Sequence, residues 1–285
     1  MLLRTVKNET ASFCASVANS LECGEVIYLP HNAFDVLHAE RWIFNEHLLA
    51  AKYKNISYSY LKAQLSGYDA NFLNIHQYTV DTLQALMQRF ALFAKNLIDS
   101  MFPHYTNTLL WGRTSYRPAE IKNRSTSKRK DDTRLHVDAF AATPVHGLRI
   151  LRVFSNVNPY NIPRIWMLGE DFTDVIKRFK PQLTPYRPWL AKLLYMLHMT
   201  KSVRSKYDHI MLQLHDAMKL DDRYQALVHK MQVNFLPQTS WICFSDQTSH
   251  AAISGQFLME QTFYLPESGM LFPEKSPHSI IFNME

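Results

Sequence analysis

The sequence is poor in glycine and cysteine. Only seven glycines occur among 285 residues, and they form no phosphate-binding loop, dinucleotide-binding fingerprint or nucleophile elbow. The enzyme classes that depend on those motifs are therefore excluded. The three cysteines, Cys14, Cys23 and Cys243, show no metal-binding or redox spacing. So sparse a set argues against a secreted disulfide scaffold and is typical of a reducing cytoplasm.

Long hydrophobic runs are also absent. No segment approaches the roughly 20 apolar residues that span a bilayer, and the first residues lack the apolar run of a signal peptide. We therefore expect neither a transmembrane helix nor a signal peptide. Basic residues outnumber acidic ones, which gives a formal charge of +6. This charge favours an anionic partner, but nucleic acid, an anionic membrane surface and a carboxylated or phosphorylated substrate all satisfy it.

Hydrophobic spacing predicts alternating helical and β-rich regions. Residues 1–105 are predicted to be mainly helical, with one short strand at residues 24–30 and a long amphipathic helix from Thr79 to Phe102. Short β segments are predicted at residues 107–111, 133–140, 148–154, 233–244 and 256–265. Residues 170–230 again show helical spacing. The predicted organisation is one domain, residues 1–285, whose β-core (106–169 and 231–270) carries a helical insertion (170–230).

A candidate metal site is the tripeptide His136-Val137-Asp138, in a predicted strand. Side chains at positions i and i+2 of a strand share one face, so the imidazole and the carboxylate can converge on one ion. A third ligand would complete the triad of two histidines and one carboxylate that is typical of non-haem iron(II) oxygenases. His250, at the start of a later predicted strand, is the candidate. The alternative is a core histidine satisfied by Asp138 or by backbone groups.

The tripeptide alone is weak evidence, because a chain with thirteen histidines produces such a match by chance. His38-Ala39-Glu40 is a similar pattern in a helical context, where the two side chains do not share a face. We therefore predict that it lies on the surface.

Longer motifs carry a family resemblance. They occupy residues 134–140, 149–159, 207–219 and 240–256, and the segment from Glu260 to Phe263 extends them. Over residues 111–266 the chain resembles the bacterial Kdo hydroxylases. The resemblance implies an α+β fold: a double-stranded β-helix (jelly-roll or cupin-like) core with N-terminal helices and a helical insertion. It also implies Fe(II), with 2-oxoglutarate and O2 as cosubstrates, and hydroxylation at C3 of 3-deoxy-D-manno-oct-2-ulosonic acid (Kdo) in Kdo-lipid A.

The resemblance implies His136, Asp138 and His250 as the metal ligands. Many related oxygenases place an arginine about ten residues after the distal histidine to bind the far carboxylate of 2-oxoglutarate. Here no basic residue follows His250 until Lys275, so the cation must come from another segment. Arg152 is the predicted clamp, and an edge-strand arginine that extends to solvent is the alternative.

Two further residues are expected in the cosubstrate pocket. Arg117 is a candidate second cation, and Trp166 is a candidate stacking wall for which a purely structural role is the alternative.

A basic loop formed by Arg124 and Lys128-Arg129-Lys130 precedes the metal motif. It is predicted to be ordinary solvated surface or, alternatively, to attract phosphates, the Kdo carboxylate or anionic lipid.

The expected partner is Kdo-lipid A at the membrane surface, and the expected location is cytoplasmic and peripheral, at the cytoplasmic face of the inner membrane. No nucleic acid is expected, because basic residues are dispersed and no nucleic-acid-binding signature occurs. No obligate protein partner is predicted. The main rival is a non-catalytic β-barrel that binds sugar or lipid, which would leave the metal triad unexplained.

Overall fold

The computed structural model describes residues 2–6, 14–122 and 126–283. The strands are β1 (Leu3–Thr5), β2 (Val26–Leu29), β3 (Ile56–Ser59), β4 (Gln64–Ser66), β5 (Leu110–Arg117), β6 (Arg149–Asn156), β7 (Arg164–Leu168), β8 (Met231–Phe235), β9 (Thr239–Phe244), β10 (His250–Ser254) and β11 (Leu258–Leu265). The helices are α1 (Ala15–Glu22), α2 (Ala70–Ile75), α3 (Val80–Met101), α4 (Phe172–Phe179), α5 (Pro188–Met196), α6 (Lys206–Leu220), α7 (Asp222–Leu227) and α8 (Pro277–Asn283). Within these described ranges, no helix is both long enough and apolar enough to cross a membrane.

The strands form one large and one small sheet. The large sheet has the order β1-β2-β9-β6-β11-β5-β3-β4, and the small one has the order β10-β7-β8. Neighbouring strands are antiparallel except for the parallel pair β1–β2. Buried side chains of β6 and β9, including Phe154 and Trp241, share one cluster with Trp166 and Phe235 of the small sheet. A common core therefore lies between the two sheets.

Helices cover the outer faces. Buried residues of α1 and α3 pack with Leu151, Val153 and Ile242 of the large sheet. Buried residues of α4 and α6 pack with Leu135 and Val137, beside the small sheet. This order of layers places the segment that carries His136 and Asp138 between the β-core and α6.

The long amphipathic helix predicted at Thr79–Phe102 is confirmed as α3, and the helical spacing of residues 170–230 is confirmed by α4, α5, α6 and α7. The apolar stripe of α3 is buried, and Thr79 caps its first turn by accepting a hydrogen bond from the Thr82 N–H at 3.2 Å. Ser205 and Asp208 form a reciprocal capping box at the start of α6. His38 is exposed in a short 3-10 helix, so its predicted surface position is also confirmed.

The strand predicted for residues 133–140 is wrong. The segment is extended but pairs only through an isolated bridge between His136 and His250. The N–H of Asp138 donates instead to the carbonyl of Ser245 at 2.8 Å, after β9. Because successive backbone groups find partners on different chain segments, no continuous ladder forms.

Other boundaries also differ from the sequence prediction. The strand predicted at residues 107–111 begins later and runs on to Arg117 as β5. Residues 1–105 contain α1, α2 and α3 but also β1, β3 and β4, which hydrophobic spacing did not indicate. These strands have only three or four residues. At the edges of the large sheet, β1 pairs with β2, β3 pairs with β5, and β4 pairs with β3. Such tertiary pairing leaves little local signal.

Candidate active site

His136, Asp138 and His250 converge on one point. One potential ligand atom from each lies within 4.8 Å of the others, and among the described residues this is the one group of three that could hold a metal ion. The backbone bridge from His136 to His250, with N–O distances of 3.0 and 2.9 Å, holds the two histidines side by side. The ring centroids are 4.7 Å apart.

Backbone carbonyls fix the tautomer of both imidazoles. Nδ1 of His136 lies 2.7 Å from the carbonyl of Arg134, and Nδ1 of His250 lies 2.9 Å from the carbonyl of Thr248. A carbonyl only accepts, so each Nδ1 carries the proton and each Nε2 keeps a free lone pair. Burial lowers the pKa of His136 to about 4 and also lowers the pKa of His250. Neutral imidazoles of this kind are what a divalent cation requires.

Asp138 supplies the negative charge of the group. Burial alone would raise the pKa of its carboxyl, but the positive charge of Arg152 holds that pKa well below its usual range. Nη2 of Arg152 lies 2.8 Å from Oδ2, yet this buried oxygen accepts no aligned hydrogen bond from the residues that the structure describes. The ionised carboxylate with an unsatisfied oxygen and the two free Nε2 atoms fit a divalent transition metal.

Arg152 lies in the cleft and not at a sheet edge, so the solvent-exposed alternative is wrong. Its strand, β6, is flanked by β9 and β11, and its side chain is 11% exposed. Besides Asp138, the guanidinium pairs with Glu260 at 2.5 Å. Arg149 projects from the opposite face of β6 and pairs with Asp246 at 2.8 Å. Arg149 and Arg152 therefore lie on opposite faces of β6, as the alternation of side chains along a strand requires.

Arg117 and Trp166 line the same cleft. Nη2 of Arg117 lies 2.9 Å from Glu260; burial alone would raise the pKa of Glu260, but Arg117 and Arg152 lower it. Trp166 stacks on the imidazole of His250, with centroids 5.0 Å apart and planes 22° apart. It also packs in the core between the sheets, and its buried Nε1 has no hydrogen-bond acceptor within the described part of the chain.

The cleft has a volume of about 440 Å³ and is rich in cations. In addition to Arg117 and Arg152, it is lined by Lys54, Arg129, Lys130, Arg164 and Lys219. The acidic lining residues are Asp132, Asp138 and Glu260. This excess of positive charge favours small anionic ligands. A second cavity of about 510 Å³ shares Arg117, Arg152 and Glu260 with the cleft and adds Lys62, Arg113 and Lys201.

Other cleft residues were not assigned to the cosubstrate pocket from the sequence. Arg164 precedes Trp166 by two residues on β7, so the same alternation that orients Trp166 could have indicated it; its Nη1 donates to the carbonyl of Gly255 at 2.6 Å. Lys219 is buried at the end of α6 and lies 3.8 Å from Asp132. His215 faces His136 edge-on at 5.4 Å. The positions of Lys219 and Asp132 depend on how α6 docks, which hydrophobic spacing does not define.

The basic loop is largely ion-paired. Lys128 contacts Asp222 at 2.6 Å and Arg129 contacts Asp216 at 3.0 Å, although both side chains are more than half exposed. Arg129 and Lys130 also line the cleft. Arg124 lies outside the described residues.

Comparisons with known proteins show the family to which the chain is similar. The family profile of 3-deoxy-D-manno-oct-2-ulosonic acid (Kdo) hydroxylase matches residues 4–285. A comparison with curated proteins found no match. The apo structure of the Kdo hydroxylase KdoO, a non-haem Fe(II), α-ketoglutarate-dependent dioxygenase, is 39% identical, covers 100% of this chain and 96% of that chain, and has a TM-score of 0.92.

Two further structures of KdoO are equally similar in sequence. The complex with α-ketoglutarate and Fe(III) has a TM-score of 0.91 and the same coverage. The complex with cobalt(II) also has a TM-score of 0.91 and covers 99% of this chain and 95% of that chain. Because the family profile spans nearly the whole length and the fold is shared, this chain belongs to the Kdo hydroxylase family.

Proposed function

We propose that this protein is a non-haem Fe(II), 2-oxoglutarate-dependent dioxygenase that hydroxylates C3 of Kdo in Kdo-lipid A. The observation that carries the proposal is the buried convergence of His136, Asp138 and His250, whose candidate ligand atoms lie within 4.8 Å of one another. A non-catalytic binding protein would not need two deprotonated Nε2 atoms and an unsatisfied carboxylate oxygen at one point of its cleft.

The three ligands would occupy one face of an Fe(II) ion and leave its other positions open. When bound, the iron activates O2 together with 2-oxoglutarate, which is converted to succinate and CO2. The protein itself positions the reactants and excludes water. The Arg134 and Thr248 carbonyls keep both imidazoles in the tautomer that presents Nε2, and the buried stack of Trp166 on His250 restricts the second ring.

The cations of the cleft would hold the anionic ends of the reactants. Arg152 is the proposed partner of the far carboxylate of 2-oxoglutarate, and Arg117 adds a second charge, because a buried carboxylate needs a charged hydrogen-bonding donor. Glu260 forms an ion pair with each arginine, at 2.5 Å from Arg152 and 2.9 Å from Arg117. Arg164, on the other wall, is a further candidate for the same role. The adjoining cavity, with Lys62 and Arg113, is suited to the sugar carboxylate.

The finer description of the fold is also part of the proposal. We assign the facing sheets to a double-stranded β-helix within a single oxygenase domain, in which residues 170–230 are a helical insertion. The core between the sheets and the bridge that aligns His136 with β10 support this assignment. The proposed location is the cytoplasmic face of the inner membrane, where the protein would bind peripherally, because Kdo-lipid A is a membrane lipid.

Mass spectrometry provides the test. Kdo-lipid A is incubated with the protein, Fe(II), ascorbate and 2-oxoglutarate, and a gain of one oxygen on the sugar is expected together with one succinate per product. Omission of iron or of 2-oxoglutarate should abolish both products. An unchanged lipid mass with no succinate would contradict the proposal and favour the non-catalytic alternative.

A further inference from the structure

Helix α5 and the turn after it expose apolar side chains to solvent. Within α5 only Ala191 is buried, although the segment PWLAKLLYM is mainly apolar. Trp189 is 61% exposed, Met196 70%, Leu197 60% and Met199 60%, and Leu190, Leu193 and Tyr195 are also exposed. Isolated exposed apolar residues are ordinary, but a contiguous group of this size marks an interaction surface.

The segment is anchored to the protein at its base. The Tyr186 hydroxyl donates to the Arg204 carbonyl at 2.7 Å, and the Thr184 N–H donates to the Gln213 side chain on α6 at 2.7 Å. On the other side, the Lys201 N–H donates to the carbonyl of Ala142 at 2.9 Å. Because both ends of the segment are held, the outward position of the apolar side chains is a property of the fold.

The charged residues within the segment that contains this surface have one sign. Residues 175–207 contain no aspartate or glutamate, whereas Arg187, Lys192 and Lys201 are exposed there. Apolar residues with tryptophan and tyrosine, flanked by arginine and lysine, are the composition of helices that lie in the interface of anionic membranes. A nine-residue helix is about 14 Å long, which suits it to lie in the plane of a lipid surface.

The surface adjoins the active-site cleft. Lys201 lines the second cavity together with Phe140, Arg152 and Glu260. The residues to which this segment is anchored, Ala141 and Ala142, follow the metal-binding motif at His136 and Asp138 by only a few positions. A lipid whose acyl chains lie in the membrane next to α5 would therefore present its head group close to the cavity that leads to the metal site.

We propose that α5 and the turn to Met199 bind anionic membranes in the interfacial plane and dock the protein with its cleft open towards lipid-linked sugar. The exposed side chains enter the lipid, while Arg187, Lys192 and Lys201 contact the anionic head groups. Membrane binding itself is independent of catalysis, but the benefit for turnover rests on the proposed function.

Sedimentation with vesicles tests the binding directly. The full chain is mixed, without substrate, with vesicles of phosphatidylcholine alone or of phosphatidylcholine with phosphatidylglycerol. We expect binding to the anionic vesicles. The triple variant Trp189→Ser/Met196→Gln/Leu197→Gln should bind them at least about tenfold more weakly, since three exposed apolar side chains no longer enter the lipid. Arg187→Glu/Lys192→Glu should also weaken binding to anionic vesicles.

A matched control variant replaces three exposed apolar side chains outside the α5 segment. Ile75, Leu227 and Leu236 are exposed apolar residues outside the α5 segment, and Ile75→Gln/Leu227→Gln/Leu236→Gln should bind vesicles like the unmodified protein. Equal binding by the α5 triple variant and the unmodified protein would overturn the inference. A change of oligomeric state with unchanged vesicle binding would also overturn it and assign the surface to a second copy of the chain.

Activity separates this inference from the proposed function. The α5 triple variant should turn over Kdo-lipid A in vesicles more slowly, yet match the unmodified protein on a water-soluble, deacylated Kdo glycan. Equal loss on both substrates would contradict a docking role. If the unmodified protein hydroxylates neither substrate, the proposed function fails, while the vesicle result still decides whether α5 binds lipid.

Discussion

At the residue scale, metal binding is expected to depend on three side chains that line the cleft. We predict that His136→Ala, Asp138→Ala and His250→Ala each abolish turnover and weaken metal binding while the protein stays folded. The measurement is titration of the apo protein with Co(II) as a stand-in for Fe(II), together with circular dichroism of each variant. Because burial holds the two imidazoles neutral, each histidine substitution removes a metal ligand without leaving a buried charge unpaired.

His215 provides the control for this prediction. It also lies in the cleft, with its ring 5.4 Å from that of His136, but its Nδ1 is directed to Asp216 at 3.0 Å. His215→Ala should therefore retain metal binding. Near-normal activity in His250→Ala, with loss in His215→Ala, would show that the distal ligand is misassigned.

Arg152 is the residue for which cosubstrate binding and metal binding can be separated. Arg152→Ala should raise the KM for 2-oxoglutarate by about two to four orders of magnitude, because loss of one partner of a buried ion pair costs about 3–5 kcal/mol. Metal affinity should not fall, since the arginine lies 2.8 Å from Asp138 and its removal leaves that carboxylate more attractive to a dication. Arg152→Lys should restore only part of the affinity for 2-oxoglutarate, because an ammonium lacks the bidentate fork. Steady-state kinetics at varied 2-oxoglutarate measure this.

The structure also indicates which arginine would bind 2-oxoglutarate if the prediction for Arg152 fails. Arg149 is not an alternative clamp, because its buried guanidinium pairs with Asp246 at 2.8 Å on the other face of β6. An unchanged KM in Arg152→Ala would transfer the role to Arg164 or Arg117, which line the same cleft.

At the element scale, hydrophobic spacing in the sequence predicted the helices and strands that bury one face. The long stripe of α3 and the alternation along β6 are visible in the sequence because burial on one face determines them. The segment around His136 shows the limit. Its composition is that of a strand, but its backbone partners lie on β10 and after β9, and only the assembled fold supplies them. The spacing of His136 and Asp138 still indicated the metal site, since an extended chain orients positions i and i+2 alike whether or not a ladder forms.

Gln225 of α7 substitutes for the missing strand partner beside His136. Its side chain accepts from the Leu135 N–H at 2.9 Å and donates to the Leu135 carbonyl at 2.9 Å. We predict that Gln225→Ala lowers the free energy of unfolding by about 2 kcal/mol, because buried backbone groups lose their partners. Co(II) affinity should fall about tenfold, since the neighbouring ligand becomes less constrained. Urea unfolding and metal titration are the measurements.

The control for Gln225 is Gln232, which is exposed on β8. Gln232→Ala should change neither the unfolding free energy nor the affinity for Co(II). If Gln225→Ala destabilised the protein but bound Co(II) normally, the segment would be positioned by the bridge to His250 alone.

At the scale of the whole molecule, the charge of +6 is not spread evenly. Cations surround the cleft and the second cavity, and the segment without acidic residues contains α5. Composition could indicate an anionic partner but not the side of the molecule that meets it. That information arises only when the fold brings residues 54, 117, 130, 152 and 219 to one cleft.

The basic loop allows this long-range attraction to be tested by salt. Arg129 and Lys130 line the cleft, whereas Lys128 does not and is paired with Asp222. We predict that Arg129→Gln/Lys130→Gln lowers kcat/KM for Kdo-lipid A in vesicles about fivefold at low ionic strength. A charge near an anionic surface contributes about 1 kcal/mol. The ion pair with Asp216 offsets part of the charge of Arg129. Lys128→Gln, the matched control, should behave like the unmodified protein.

Added salt should remove this difference. The Debye length falls from about 10 Å at 0.1 M to about 3 Å at 1 M, so the activity of the unmodified protein should decrease more steeply with salt than that of Arg129→Gln/Lys130→Gln. Succinate formation without lipid should be the same in all three proteins, because the metal ligands and Arg152 are unchanged. Parallel salt curves for the double variant and the unmodified protein would show that the loop is ordinary surface. The attraction of the phosphates would then depend on Lys201 and Arg204, which lie beside α5, and on the neighbouring Lys206.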